Sequence, residues 1–327
     1  MISIIVAVYN IQDYIGYCIE SILRQSLMDW ELLLINDGST DGSRSICELY
    51  AIKDKRIKVI NKNNGGLSSA RNAGINSAFG QWIMFVDGDD YLLPDTLKNL
   101  HNCIEQAGDD VDFIQYGFQE ADNYEGKFLK TEFLPAMDFI SDWHEMFYRL
   151  LVMGGEAASM CTKLIRRDIL KRLKFQEGII HEDEQFTTHL LLESRKVAYS
   201  RYKPYIYVRR NNSIITSRFS KKRLDIIGIM NERFSLMEKY SLQRRLVSLF
   251  RIKHIKGLRN LYMAALEVND KESAVVLNEE YVSQIKLLDF SLMEIPVKEK
   301  IRLILAEAGF PVLKIESIVR KSIKKVK

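Results

Sequence analysis

An α/β domain with a mostly parallel sheet flanked by helices, followed by a helical C-terminal region, is the fold class this sequence predicts. Three observations predict it. Strand-like and helix-like segments alternate through the first half with short connections, as in βαβ architectures. The strands read as continuous apolar runs, the pattern of strands buried on both faces. From about residue 220 the strand signal stops and amphipathic helical periods take over. The boundary is expected at 218/219, giving an α/β region 1–218 and a helical region 219–327.

The elements follow in order. "ISIIVAV" (2–8) is a β-branched strand. "DYIGYCIESILRQS" repeats Ile15, Cys18, Ile19, Ile22 and Leu23 at helical spacing. "ELLLIND" (31–37) and "RIKVIN" (56–61) are the next two strands. "LSSARNAGINSA" (67–78) has the small residues of a helix packed close to a sheet. "QWIMFVD" (81–87) is a fourth strand, "PDTLKNLHNCIEQA" (94–107) a helix opened by proline, and "DFIQYGF" (112–118) a further strand. "MCTKLIRRDILKR" is strongly basic and reads as a solvated helix face. The helical region begins at "KKRLDIIGIMNERFSLMEKY", and Pro296 and Gly309-Phe310-Pro311 bracket a helix over "VKEKIRLILAEA".

Composition bounds the function. Of the 327 residues 47% are hydrophobic and 28% charged, which is ordinary for a globular protein, and the net charge of +4 gives no case for a nucleic-acid partner. Cys18, Cys47, Cys103 and Cys161 form no CxxC pair and read as buried thiols in a reducing compartment. Met1 runs directly into the first strand without a basic n-region, and no uncharged apolar run has the length of a membrane span. A cytoplasmic location is the expectation.

In an open parallel sheet, ligands bind beyond the carboxyl ends of the strands. Four successive strand exits carry polar clusters on that edge: Tyr9-Asn10, Asn36-Asp37-Gly38-Ser39, Asn61 to Gly66, and Asp87-Gly88-Asp89-Asp90. Two aspartates one residue apart suit a divalent cation, which takes hard oxygens and keeps positions open for phosphate. Gly88 allows close backbone approach. Arg71, on the helix after Gly65-Gly66, offers positive charge to the same phosphates. Asp37 and Asp87 are suited to accept from a base N–H or a ribose hydroxyl. The set reads as a metal–nucleoside-diphosphate site. No GxGxxG follows the first strand and no GxxxxGK[ST] occurs, which argues against a dinucleotide oxidoreductase and a P-loop NTPase. The Gly-rich basic loop of a sugar nucleotidyltransferase is also missing after the first strand.

"SIIVAVYN", "INDGSTDGS", "NNGGLSSARNAG", "FVDGDD" and "HEDEQF" follow one another in an order and spacing that resembles the family 2 glycosyltransferases, of GT-A fold, over about residues 1–215. The resemblance implies an inverting transfer from a UDP-sugar to an acceptor hydroxyl on a glycan, lipid-linked glycan or glycoprotein, in bacterial surface-polysaccharide synthesis. It implies that Tyr9 and Asp37 hold the uracil end, that Asp87 meets the ribose, and that Arg71 lies near the ribose or phosphates. Asp89 would bind Mn²⁺ or Mg²⁺. The Glu182-Asp183 pair falls where the family keeps its catalytic base. The residues alone leave those two tied, and the family position favours Asp183. Ala7 stands where the family often has proline, and Gly88 where it often has serine. Neither change removes a ligand. The competing readings are a sugar nucleotidyltransferase and an inactive nucleotide-sugar-binding module.

Two further expectations concern later segments. In "YIYVRRNNSIITSR", Tyr205, Tyr207, Arg210 and Ser213 are placed to close over the diphosphate. In "VLKIESIVRKSIKKVK" (312–327) a helix would align Val312, Ile315, Val319, Ile323 and Val326 opposite Lys314, Lys321, Lys324 and Lys325. That pattern fits peripheral attachment to an anionic membrane surface.

Overall fold

The computed structural model describes residues 1–124, 136–209, 218–289 and 291. The chain divides into two compact units, Met1–Ser213 and Ile214–Lys327. The expectations for Arg210, Ser213, Pro296, Gly309 to Pro311 and the 312–327 helix lie outside the described residues.

The first unit is built on β1 (Ile2–Val8), β2 (Trp30–Asp37), β3 (Ile57–Lys62) and β4 (Trp82–Asp87), which pair in parallel in the order β3-β2-β1-β4. Residues Ile4, Val6, Leu32, Leu34 and Ile83 are fully buried, as the unbroken apolar runs require. The register sets Val8 opposite Asn36, Asn36 opposite Asn61, and Ala7 opposite Asp87. The polar exits therefore share one edge.

Between these strands run α1 (Ile15–Leu23), α2 (Ser43–Lys53) and α3 (Leu67–Ser77). Ile15, Cys18, Ile19 and Ile22 form the buried face of α1, the stripe its periodicity predicts. On α3, a Cβ at Gly74 would meet Ile5 Cγ2 at 2.4 Å, so this helix lies against β1 with no space for a side chain.

The chain continues through β5 (Tyr91–Leu92), α4 (Thr96–Ala107), β6 (Phe113–Gln115), β7 (Phe118–Ala121), β8 (Met137–Ile140), α5 (Trp143–Met153), α6 (Gly155–Ala158), β9 (Lys163–Arg166), α7 (Arg167–Leu170), α8 (Glu182–Glu193), β10 (Val197–Ser200) and β11 (Tyr205–Val208). The large sheet has the order β3-β2-β1-β4-β9-β6-β10-β8, and β5-β11-β7 form a small second sheet. Two expectations are corrected here. "DFIQYGF" is two strands in two sheets, broken at Gly117, whose N–H donates to Tyr202 O at 2.8 Å. "MCTKLIRRDILKR" is no solvated helix face. Its centre is β9, which runs antiparallel between β4 and β6. Lys163 is buried because the fold provides partners, Nζ donating to Ala157 O (2.5 Å) and Ser159 O (2.7 Å). Arg166 is partly buried over the Trp82 ring, and of the segment's cations only Lys171 and Arg172, past the strand, are exposed.

All four cysteines are buried thiols. The second unit is helical: α9 (Asp225–Lys239), α10 (Arg244–Glu267) and α11 (Lys271–Lys286). Asp270 caps α11 by accepting from the Ser273 N–H at 3.0 Å. Leu258, Leu277, Tyr281 and Ile285 form its core. No helix among the described residues is long and apolar enough to cross a membrane.

Candidate active site

The site is assembled at the carboxyl edge of β1, β2 and β4. Asp37 ends β2, and both carboxylate oxygens are engaged. Oδ1 accepts from Lys62 Nζ (2.5 Å) and Gly65 N (3.0 Å), and Oδ2 from Gly66 N (2.8 Å). A carboxylate has about four lone-pair sites, so one acceptor direction remains for a ligand donor. Tyr9 follows β1 and is 51% exposed. Beside it Asn10 fixes the 39–40 turn, taking the Thr40 N–H on its side chain at 2.8 Å and donating its own N–H to Ser39 Oγ at 3.2 Å.

The turn after β4 separates the three carboxylates that the sequence placed together. Asp87 and Asp89 are partly exposed, whereas Asp90 is 1% exposed. Asp90 Oδ1 accepts from Val208 N (2.8 Å) and Oδ2 from Tyr205 Oη (2.5 Å). Tyr205 Oη also accepts the Asp87 N–H at 3.1 Å, and the Asp90 N–H returns to Asp87 O at 2.9 Å. Burial first, and the Asp87 charge second, push the Asp90 carboxyl up to about 8. Tyr205, expected to close over a diphosphate, is instead 2% exposed and supports the turn from beneath. Tyr207 packs its ring on Phe118. On the other side Tyr124 Oη donates to the Asp89 carbonyl. Gly88 is buried, and a Cβ there would meet Ile11 Cδ1 at 2.4 Å. The glycine thus matches a packing requirement.

Arg71 is 2% exposed and lies among carboxylates. Nη1 donates to Asp183 Oδ1 (2.5 Å) and Glu182 Oε1 (3.0 Å), and Nη2 to Asp87 Oδ1 (3.4 Å). Its guanidinium sits over the Phe175 and Phe85 rings at 5.4 and 5.8 Å. Burial opposes the charge, but Asp183, Asp87 and Glu182 outweigh it and hold Arg71 protonated. The residue expected at the donor phosphates is therefore, in this structure, the bridge between the β4 exit and the acidic pair.

That pair is delivered by α8. His181 precedes the helix in a left-handed conformation (φ 65°), and Glu182, Asp183 and Glu184 occupy its first turn, where carboxylates favour the positive dipole end. Phe186 stacks on Phe175 with centroids 3.9 Å apart, and Thr187 Oγ1 donates to Ala158 O at 2.8 Å. Asp183 Oδ2 also accepts from Met160 N at 3.1 Å. Burial, and then the Asp183 charge, push the Glu182 carboxyl up to about 7.

The site residues that sequence reasoning did not separate are Asp90, Tyr205, Tyr124 and Phe175. Asp90 carried no local signal that set it apart from Asp87 and Asp89. Phe175 carried none.

The donor chemistry suits a hard divalent cation. Among the described residues no three His, Cys, Asp or Glu side chains form a metal cage. The two partly exposed carboxylates of one turn fit instead an ion of the Mg²⁺ class, which takes one or two carboxylates and completes its shell with phosphate and water.

Comparison with known proteins agrees with this edge. The Glycosyl transferase family 2 model matches residues 3–174, over half the chain and including every strand exit described above. Glycosyltransferase GlyA of Streptococcus pneumoniae is 30% identical over 253 residues, 75% of this chain and 36% of that protein. The chain thus matches little more than a third of that relative. Putative glycosyltransferase EpsH of Bacillus subtilis is 34% identical over 226 residues, 68% of this chain and 64% of EpsH. The solved structure of S. aureus TarS 1-349 in complex with UDP-GlcNAc superimposes with a TM-score of 0.68 at 21% identity, covering 86% of this chain and 81% of that one. The shared α/β architecture is the GT-A fold. With the family's motifs on one sheet edge and its sequence model over most of the first unit, the chain belongs to glycosyl transferase family 2.

Proposed function

We propose that this chain transfers a sugar from a UDP-sugar to an acceptor hydroxyl, with inversion, in the synthesis of a bacterial surface glycan. One observation carries the reading. An acidic pair nearly a hundred residues downstream meets the β4-exit carboxylate across a single buried arginine, Arg71. A donor-binding turn and a proton acceptor stand side by side there, as a single displacement requires. The likeness to a structure that holds UDP-GlcNAc supports a UDP-sugar as donor.

Each residue has a task in this reading. Tyr9 offers an exposed ring to the uracil, and Asp37, held by the Lys62–Gly66 segment, accepts from the base. Asp87 accepts from the ribose. Asp89, with Asp87 on the same turn, would hold Mn²⁺ or Mg²⁺, which when bound neutralises charge on the departing diphosphate. Asp90 and Tyr205 keep the turn in place. Asp183 accepts the acceptor's proton as its oxygen attacks the anomeric carbon from the face opposite UDP. Arg71 and the Met160 N–H orient the Asp183 carboxylate.

Residues 1–218 would form the catalytic region and 219–327 a helical region of separate role. A cytoplasmic location, with attachment to an anionic membrane surface through 312–327, is proposed from the sequence pattern. The experiment is UDP release from a panel of UDP-sugars, with and without Mn²⁺ or Mg²⁺. Metal-dependent release supports the reading. Pyrophosphate release from a sugar phosphate and UTP would favour a nucleotidyltransferase, and binding without turnover an inactive module.

A further inference from the structure

Between α1, Tyr50 of α2, the Tyr91–Pro94 segment and Tyr124, the first unit contains a cavity of about 520 Å³, within the size range of small-ligand sites. Its mouth is aromatic. Tyr17 is 55% exposed, yet its ring stacks on Tyr124 with centroids 4.5 Å apart and 18° between planes. Tyr14 lies on the same ring at 5.8 Å. A large ring held flat and open to solvent contributes little to the core. The rest of the lining is polar on one side: Glu20 accepts from Tyr50 Oη at 3.0 Å and pairs with Arg24 at 3.6 Å.

We infer that this cavity is a second saccharide site, taking one or two neutral pyranose units of the glycan on which the enzyme acts. A pyranose presents C–H groups to the negative face of an aromatic ring and hydroxyls at its edge. The Tyr17–Tyr124 stack supplies the first surface, and Glu20 and Arg24 supply acceptor and donor for the second. Two carboxylates, Asp13 and Glu20, stand against one guanidinium in the lining, which disfavours a phosphate or polyanion. An acyl chain would desolvate the Glu20–Arg24 pair without replacing its hydrogen bonds. The site is joined to the donor turn, because the Tyr124 hydroxyl donates to the Asp89 carbonyl. Glycan seated on Tyr124 thereby adjoins the residue assigned to the metal. The choice of saccharide rests on the glycosyltransferase reading. The cavity itself does not.

Gly16 provides the test. It lines the cavity, and the nearest atom to a Cβ built there is Tyr50 Oη at 3.9 Å. Gly16→Leu therefore fills the space while improving a helix position. The full chain, without nucleotide, is applied to an array of bacterial glycans, and affinity for the best binder is measured by calorimetry. The expected result is binding that Gly16→Leu and Tyr17→Ala each weaken about tenfold or more, and that Tyr17→Phe retains. Thermal melts of the variants at the parental temperature exclude misfolding as the cause. Binding unchanged in both Gly16→Leu and Tyr17→Ala would place the glycan elsewhere and overturn the inference, as would an array with no bound glycan. UDP release by the parent chain is read in parallel. Its absence would count against the proposed function, whereas release with cavity-independent glycan binding would count against this site alone.

Discussion

Replacing Arg71 by methionine tests whether one guanidinium holds the catalytic edge together. Methionine fits the space between the Phe85 and Phe175 rings and removes only the charge and its hydrogen bonds. Three carboxylates then face one another, with Asp183, Glu182 and Asp87 losing contacts of 2.5, 3.0 and 3.4 Å. Removing one partner of a buried ion pair costs about 3–5 kcal/mol. With a urea slope of about 2 kcal/mol per molar, the midpoint falls by about 2 M.

The deficit depends on pH, with a definite sign. Glu182 is raised from 4.5 to about 7 by burial and Asp183 even with Arg71 opposing the shift. Without Arg71 it rises further. A carboxyl whose folded pKa exceeds its unfolded value binds more protons folded than unfolded between the two, so stability falls as pH rises through that window. The variant should therefore be nearer the parent at pH 5 and furthest below it at pH 8. Tryptophan fluorescence in urea reads this unit alone, because Trp30, Trp82 and Trp143 are the chain's three tryptophans and all lie within Met1–Ser213. Equal midpoints at pH 8, or a deficit identical at pH 5 and pH 8, would refute the reasoning.

Three further outcomes are expected. Asp183→Asn should lower kcat by about 10²–10⁴ with the donor KM nearly unchanged in initial-rate assays; a collapse of donor affinity would make it a donor ligand and shift the base to Glu182. Asp89→Ala should abolish metal-dependent UDP release while leaving the thermal melt near the parent's, and full turnover at saturating donor would remove Asp89 from metal binding. Tyr205→Phe deprives the Asp87 N–H of its acceptor and Asp90 of a donor. It should cost about 1–3 kcal/mol and weaken UDP binding with metal about tenfold by calorimetry, and a lowered melt with unchanged UDP affinity would confine Tyr205 to stability.

What the sequence made legible, and what it did not, divides along the range of the interactions involved. The parallel strands β1, β2 and β4 declare themselves because burial on both faces demands unbroken apolar runs, and their register then aligns the exits at Asn36, Asp37 and Asp87. β9 does not declare itself. Its Lys163 and Arg166 look solvated until the carbonyls of Ala157, Ser159 and Val111 and the Trp82 ring are placed around them. Arg71 likewise reads as a free cation until α8 brings two carboxylates from over a hundred residues away. The same holds for the acidic turn. Asp87, Asp89 and Asp90 repel one another in any local account, and nothing local distinguishes them. The distinction comes from β11, where Tyr205 and Val208 hydrogen-bond Asp90 in a buried position. Burial, and then the Asp87 charge, push its carboxyl up to about 8, although those two hydrogen bonds pull the other way. One of the turn's three acids is thus buried as a hydrogen-bonded strut. The strut leaves Asp87 and Asp89 partly exposed, as the proposed cation and nucleotide roles require.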